Sequence, residues 1–179
     1  MRRTAVLPLA VTLLLTACAP SVSKEAPAAS STSSKAVPTS TAPVVPPAPT
    51  PSGGGPCPYL DTEFVAQSNG QHVSKVQTSA DKPQPTCFFY ALTGKLQLSV
   101  RVYVGEPAVA TALVNQVAPI DTSDPADEPA GWHGGYESTD SGAVYAVAKQ
   151  GAAVVVTTNQ KQSIKGRIVA KQAIANLRM

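Results

Sequence analysis

The sequence is poor in the residues that most often carry out chemistry. Its 179 residues include two histidines, three cysteines and one tryptophan. A metal site needs three or four clustered ligands, and neither histidine has other ligands at a recognisable spacing. The sequence also lacks the GxGxxG and GxxxxGK[ST] phosphate loops and the GxSxG elbow of serine hydrolases. We therefore expect no metal, no nucleotide cofactor, no nucleic-acid partner and no catalytic residues.

No apolar run near the N-terminus is long enough to span a bilayer. Residues 5–15 would rise only about 17 Å as a helix, against about 30 Å of hydrocarbon. Two arginines precede them, so residues 1–17 are predicted to be a secretory signal peptide. Leu15-Thr16-Ala17-Cys18 resembles the bacterial lipobox. This resemblance implies lipid on Cys18 and an anchor on the extracytoplasmic face of the cell membrane. The alternative is a secreted protein in which Cys18 has no role.

Residues 18–56 contain almost no large apolar side chains and no aromatic residue. Proline, serine, threonine and alanine dominate them, and such a segment cannot bury enough surface to offset its ordering entropy. We expect a disordered linker after the lipidated Cys18. Its prolines at 43–51 favour polyproline II, and the glycines at 53–55 favour a flexible joint.

Residues 57–179 have the size of one domain. Because Cys57 and Cys87 belong to an exported chain, a disulfide is the favoured interpretation, and a reactive or metal-binding pair is the alternative. The bond would close a loop of about 31 residues and stabilise the domain by roughly 3–4 kcal/mol.

Hydrophobic periodicity predicts an α+β domain with the order α-βββ-α-βββ-α. Strands in antiparallel groups with helices on one face describe a two-layer sandwich. A weak internal duplication of three strands and a helix fits this order. Strand 96–104 alternates apolar and polar residues, which predicts one buried and one solvent-facing side. The predicted helices span residues 58–68, 106–119 and 162–177, and the predicted strands span 72–78, 86–92, 96–104, 134–139, 143–149 and 152–157.

Four short motifs stand out in the domain: Cys57-Pro58-Tyr59-Leu60, Cys87-Phe88-Phe89, Gly131-Trp132-His133-Gly134-Gly135 and Thr158-Asn159-Gln160. With these motifs the chain resembles a family of actinobacterial cell-envelope lipoproteins of the mycobacterial and corynebacterial type. The resemblance implies a wall-bearing source and an envelope address, and it implies no reaction.

Charges of opposite sign are segregated along the domain. Six acidic residues and no Lys or Arg lie between Asp121 and Asp140, whereas six basic residues and no acid lie between Lys149 and Arg178. One interpretation is a binding surface that attracts an anionic lipid or wall polymer. The other is an ordinary solvated helix face. The candidate surface residues are Trp132, His133, Lys161, Lys165, Arg167 and Lys171.

The sequence favours a non-enzymatic binding or accessory module for a protein, lipid or wall-polymer partner. The alternative is a small extracytoplasmic hydrolase or transferase without a recognisable motif. Acidic side chains near His133 leave a metal site open in principle, and Trp132 either covers the core or stacks on a ligand.

Overall fold

The computed structural model describes residues 42–179, which form an antiparallel sheet of eight strands and three helices. The predicted signal peptide, Cys18 and most of the predicted linker lie outside the described residues. The α+β class and the antiparallel sheet are confirmed. The elements are β1 (Gly53–Gly54), α1 (Thr62–Asn69), β2 (Val73–Thr78), β3 (Cys87–Ala91), β4 (Leu96–Val104), α2 (Pro107–Val117), β5 (Asp124–Ala126), β6 (His133–Thr139), β7 (Gly142–Lys149), β8 (Ala152–Thr158) and α3 (Ser163–Leu177).

The strand order is β1-β2-β3-β4-β8-β7-β6-β5, so two four-stranded meanders meet where β4 pairs with β8. Val100 lies opposite Val156, and Val102 opposite Val154, along this central pair. The sequence predicts the six longer strands and misses β1 and β5. Both are two or three residues long, and β5 contains Pro125, so neither shows an alternating pattern.

The helices lie on both faces of the sheet, which corrects the prediction of helices on one face; β8 is apolar on both faces and accepts a helix on either side. Val154 and Val156 of β8 point toward α1 and α3 and join the larger core, whereas Ala153 and Val155 point the other way and join the smaller core around α2. Helices α1 and α3 thus form the second layer of the predicted sandwich, and α2 covers the opposite face. Helix α2 follows the first meander and α3 follows the second, and these two helices lie on opposite faces of the sheet. The two halves are therefore not equivalent, although their strand orders mirror each other.

Local sequence explains where the first two helices begin. The side chain of Asp61 accepts hydrogen bonds from the backbone N–H groups of Glu63 and Phe64, so α1 begins at Thr62 and not at residue 58. Gly70 ends α1 in the left-handed region with φ of 72°. Helix α2 has Pro107 in its first turn, where the missing N–H costs no hydrogen bond.

The predicted disulfide joins Cys57 to Cys87, with a Cα–Cα distance of 5.6 Å. It ties the segment before α1 to the start of β3. The neighbouring Tyr59 is buried, and its hydroxyl lies 2.8 Å from the carbonyl of Pro85 and 3.0 Å from that of Val100. Burial raises the pKa of Tyr59 well above its ordinary value, so the hydroxyl stays protonated.

Part of the predicted linker differs from expectation, because residues 45–52 lie against the sheet. We call these eight residues the strap. Val45 packs against the α2 core, and the Arg101 guanidinium donates to the carbonyls of Pro46 and Pro47. At the other end the N–H of Ser52 donates to Thr78, after which β1 pairs with β2. For residues 18–41, disorder stays a prediction.

Candidate functional site

The four basic side chains of the candidate surface all have partners. Lys161 lies 3.0 Å from a carboxylate oxygen of Asp140, and Lys165 donates to the backbone carbonyl of Asn69 and to the side chain of Gln160. Arg167 and Lys171 both bind Glu128. Two of the six segregated acidic residues, Asp140 and Glu128, thus pair with three of these basic side chains, whereas Lys165 binds uncharged groups.

Glu128 connects the loop between β5 and β6 to α3. Its two carboxylate oxygens lie 3.2 Å from Arg167 Nη1 and 2.7 Å from Lys171 Nζ. The hydrogen bond from Lys171, together with the positive charges of Arg167 and Lys171, lowers the pKa of Glu128 below its ordinary value. The backbone carbonyl of Glu128 also accepts a hydrogen bond from the hydroxyl of Tyr145 at 2.6 Å. The loop is thus held in place by both the side chain and the backbone carbonyl of Glu128.

Trp132 is not part of a binding surface. Its side chain is 1% exposed and belongs to the larger core, and its backbone N–H donates to the carbonyl of Pro129. Of the two roles that the sequence left open, the structure places it in the core, because a large ring gains most from burial. His133, the next residue, is exposed, since side chains alternate at the start of β6.

His133 lines a groove of about 610 Å³ between α2, the end of the acidic loop and β6–β7. We call it the α2 groove. Much of its wall is apolar, and Ile120 at its border is 81% exposed, an unusual exposure for a large aliphatic side chain. Its other apolar residues include Val114, Ala118, Pro125, Ala126 and Ala148.

The charge around the α2 groove is mainly acidic. Asp127 lines it, and the exposed Asp121 and Asp124 adjoin the lining residues Ile120 and Pro125 in the chain. Among residues 42–179, none of these three carboxylates forms an ion pair with a basic side chain. Lys149 is the basic residue that lines the groove. With Asp121 and Asp124 beside it, the groove thus combines an apolar wall with more acidic than basic side chains.

A buried polar cluster escaped the sequence prediction. The Asn69 side chain donates to Gln97 Oε1 at 2.9 Å and accepts from the Thr158 hydroxyl, and Gln97 donates to the carbonyl of His72 at 3.0 Å. These contacts join the end of α1 to β4 and β8. Gln97 lies on the side of its strand that was predicted to face solvent, so alternation alone could not reveal its burial.

In the described part of the chain, the titratable groups that come together are Glu128, Arg167, Lys171 and Tyr145, beside α3. No cluster of three His, Cys, Asp or Glu residues there has the geometry of a metal site. Burial raises the pKa of Tyr145, as it does for Tyr59, and lowers the pKa of Arg101 beneath the strap. Within residues 42–179, no helix is long and apolar enough to cross a membrane.

Comparison with known proteins gives one family match. The sequence profile of a family described as a domain of unknown function, DUF2020, matches residues 37–179. No curated protein matches the chain. The match begins before the strap and runs to Met179, so it covers the strap as well as the folded domain.

Proposed function

The chain belongs to the DUF2020 family, and we propose that it is a non-enzymatic binding module that docks a partner protein in the α2 groove. We further propose that lipid on Cys18 anchors it to the extracytoplasmic face of a bacterial cell membrane. The observation that carries the binding role is the α2 groove itself. It is the size of a typical ligand pocket and lies next to an exposed Ile120.

The charges of the groove select the partner. Asp121, Asp124 and Asp127 have no ion-pair partner among the described residues, so a positive group placed there gains attraction without displacing an existing contact. The apolar wall takes an aliphatic side chain at the same time. The proposed occupant is therefore a partner-protein segment with aliphatic residues flanked by Lys or Arg. Of the partners that the sequence suggested, namely a protein, an anionic lipid or a wall polymer, the proposal takes the protein.

Catalysis has less support than binding. Tyr59, Tyr145 and Arg101 owe their shifted pKa values to burial, and Glu128 owes its shift to an ion pair with α3. None of these four residues lines the α2 groove. An active site normally brings perturbed groups together in a cleft. The protein is therefore proposed to bind its partner without a reaction.

Three synthetic peptides test the binding proposal. The first is Gly-Lys-Leu-Val-Lys-Gly, the second has Glu in place of Lys, and the third has Ser in place of Leu and Val. Titration calorimetry should detect binding of the first peptide alone, weakened by salt because exposed charges contribute. Binding of the acidic peptide, or of none, would overturn the assignment.

Matched variants locate the binding site. Ile120→Ser removes an exposed apolar side chain from the groove, and Leu92→Ser does the same at a distant site where Leu92 is 74% exposed. Ile120→Ser should weaken peptide binding roughly fivefold, corresponding to about 1 kcal/mol of lost apolar contact. Leu92→Ser should leave it unchanged. Equal effects of the two variants would move the site elsewhere.

The anchor proposal is supported by the lipobox-like motif and is tested separately. Cys18→Ser should abolish acylation, so the protein loses its diacylglyceryl mass and no longer partitions into detergent. Mass spectrometry of the protein from the membrane fraction measures both forms. An acylated Cys18→Ser protein would refute the anchor.

A further inference from the structure

We infer that the sheet face covered by α2 also carries a recognition site for a proline-rich segment, and that the strap of the same chain fills this site. The site lies over β4, where Arg101 points to the α2 side of the sheet. This site is separate from the proposed partner site, because the α2 groove lies at the other end of the same face, beside β6 and β7.

The polar half of the site is Arg101. Its Nη2 atom donates to the carbonyl of Pro46 at 3.1 Å and to that of Pro47 at 3.0 Å. Proline has no N–H to offer, so a proline-rich segment presents mainly carbonyl acceptors, and arginine is a side chain with donors alone. One guanidinium thus donates to the carbonyls of two consecutive prolines. Recognition of a segment that offers mainly acceptors requires such a donor.

The apolar half of the site is the small core around α2. Val45 is half-buried and packs against this core, whereas its neighbour Val44 is 83% exposed. Along the strap, Pro46 and Pro49 are also half-buried. The strap therefore presents selected side chains to the sheet and the others to solvent, as a bound peptide does.

The glycines that follow the strap allow it to leave the sheet. Its last residue, Ser52, is held by hydrogen bonds to the carbonyl of Thr78, and three consecutive glycines follow before the disulfide at Cys57. Glycines allow the backbone to turn without steric cost. Release of the eight strap residues lengthens the chain between Cys18 and the domain by about 25 Å at 3.1 Å per residue. Docking and release of the strap thus set the length of the linker.

A labelled peptide of residues 42–55 tests the site in trans. Its fluorescence anisotropy is measured with the whole chain purified in detergent. In the unchanged protein the strap competes with the peptide, so binding is weak. Val45→Asp places a charge in the apolar contact and frees the site, and the peptide should then bind at least about tenfold more tightly.

Matched changes decide the outcome. Val44→Asp adds the same charge at an exposed position and should leave peptide binding as weak as in the unchanged protein. Arg101→Ala added to Val45→Asp should weaken binding at least roughly tenfold, because two charged hydrogen bonds are lost. Val45→Ser, which adds no charge, tests release if the Asp variant does not fold. Equal peptide binding by the Val44 and Val45 variants, or no effect of Arg101→Ala, would overturn the inference.

Discussion

Trp132 and His133 are adjacent in the chain and have opposite surroundings. The indole lies in the core beneath α3, and the imidazole lies at the edge of the α2 groove. A sequence with one tryptophan between glycines leaves both roles open, because the flanking glycines show only that the backbone is free to turn. The deciding contact is the packing of the loop under α3, which depends on residues more than 30 positions away.

Replacing Trp132 by Ala should lower the free energy of unfolding by about 3–5 kcal/mol, the cost of a large cavity in a core. His133→Ala, at the exposed neighbouring position, should change it by less than about 0.5 kcal/mol. Urea unfolding monitored by circular dichroism measures both. A stable Trp132→Ala protein would show that the ring contributes little to the core.

Most of the regular elements were predictable from the sequence because their apolar spacing is regular. Strand β4 was predicted at its observed bounds, and α3 within one residue at its start. The face that each helix covers was not predictable. Strand β8 is apolar on both faces, so its pattern accepts a helix on either side, and α2 takes the side opposite α3.

The contact between the acidic loop and α3 should depend on pH. Because the pKa of Glu128 is lowered in the folded state, its contribution is present above the ordinary value of 4.5 and is lost as the pH falls through the folded pKa. The difference in unfolding free energy between the unchanged protein and Glu128→Gln should therefore shrink as the pH falls from 7 toward 3. Chemical unfolding across this range measures it, and a constant difference would contradict it.

The buried cluster at the end of α1 should be sensitive to loss of one member. Asn69→Ala leaves the Gln97 side chain and the Thr158 hydroxyl without their partner. Each unpaired buried group costs about 1–3 kcal/mol, so we expect the two groups to lower the free energy of unfolding by about 2–6 kcal/mol. Asn115→Ala, at an exposed helix position, is the control and should have little effect. Thermal unfolding distinguishes the two, and equal midpoints would contradict the role of the cluster.

At the scale of the whole molecule, each meander pairs strands that are neighbours in sequence, whereas the junction between the meanders pairs strands that are far apart in sequence. Each strand of β1–β4 pairs with its neighbour in sequence, as does each strand of β5–β8, whereas β4 and β8 are about 50 residues apart. No local pattern specifies that pairing, which is why the sequence predicted the strands but not their order. The same limit applies to the groove, because α2, β6 and β7 come together through this order.

The disulfide fixes the entrance to the domain and should contribute to its overall stability. Cys87→Ala should cost roughly 2–5 kcal/mol, as is typical of a native bridge in a small exported domain. Cys57→Ala removes the same bond, and the double variant should therefore cost little more than Cys87→Ala. Guanidinium unfolding measures all three. Additive losses would show that the two side chains stabilise the domain mainly by separate packing.

The short outer strands determine how the molecules behave when they are crowded. An exposed sheet edge pairs readily with another chain and starts aggregation. Here β1 has two residues, and β5 has three, including Pro125, which has no N–H to donate. Where β2 extends beyond β1, a bulge follows Val73 and the strand carries Lys75. Neither edge offers a long flat template, so many copies can stand side by side without joining into fibrils.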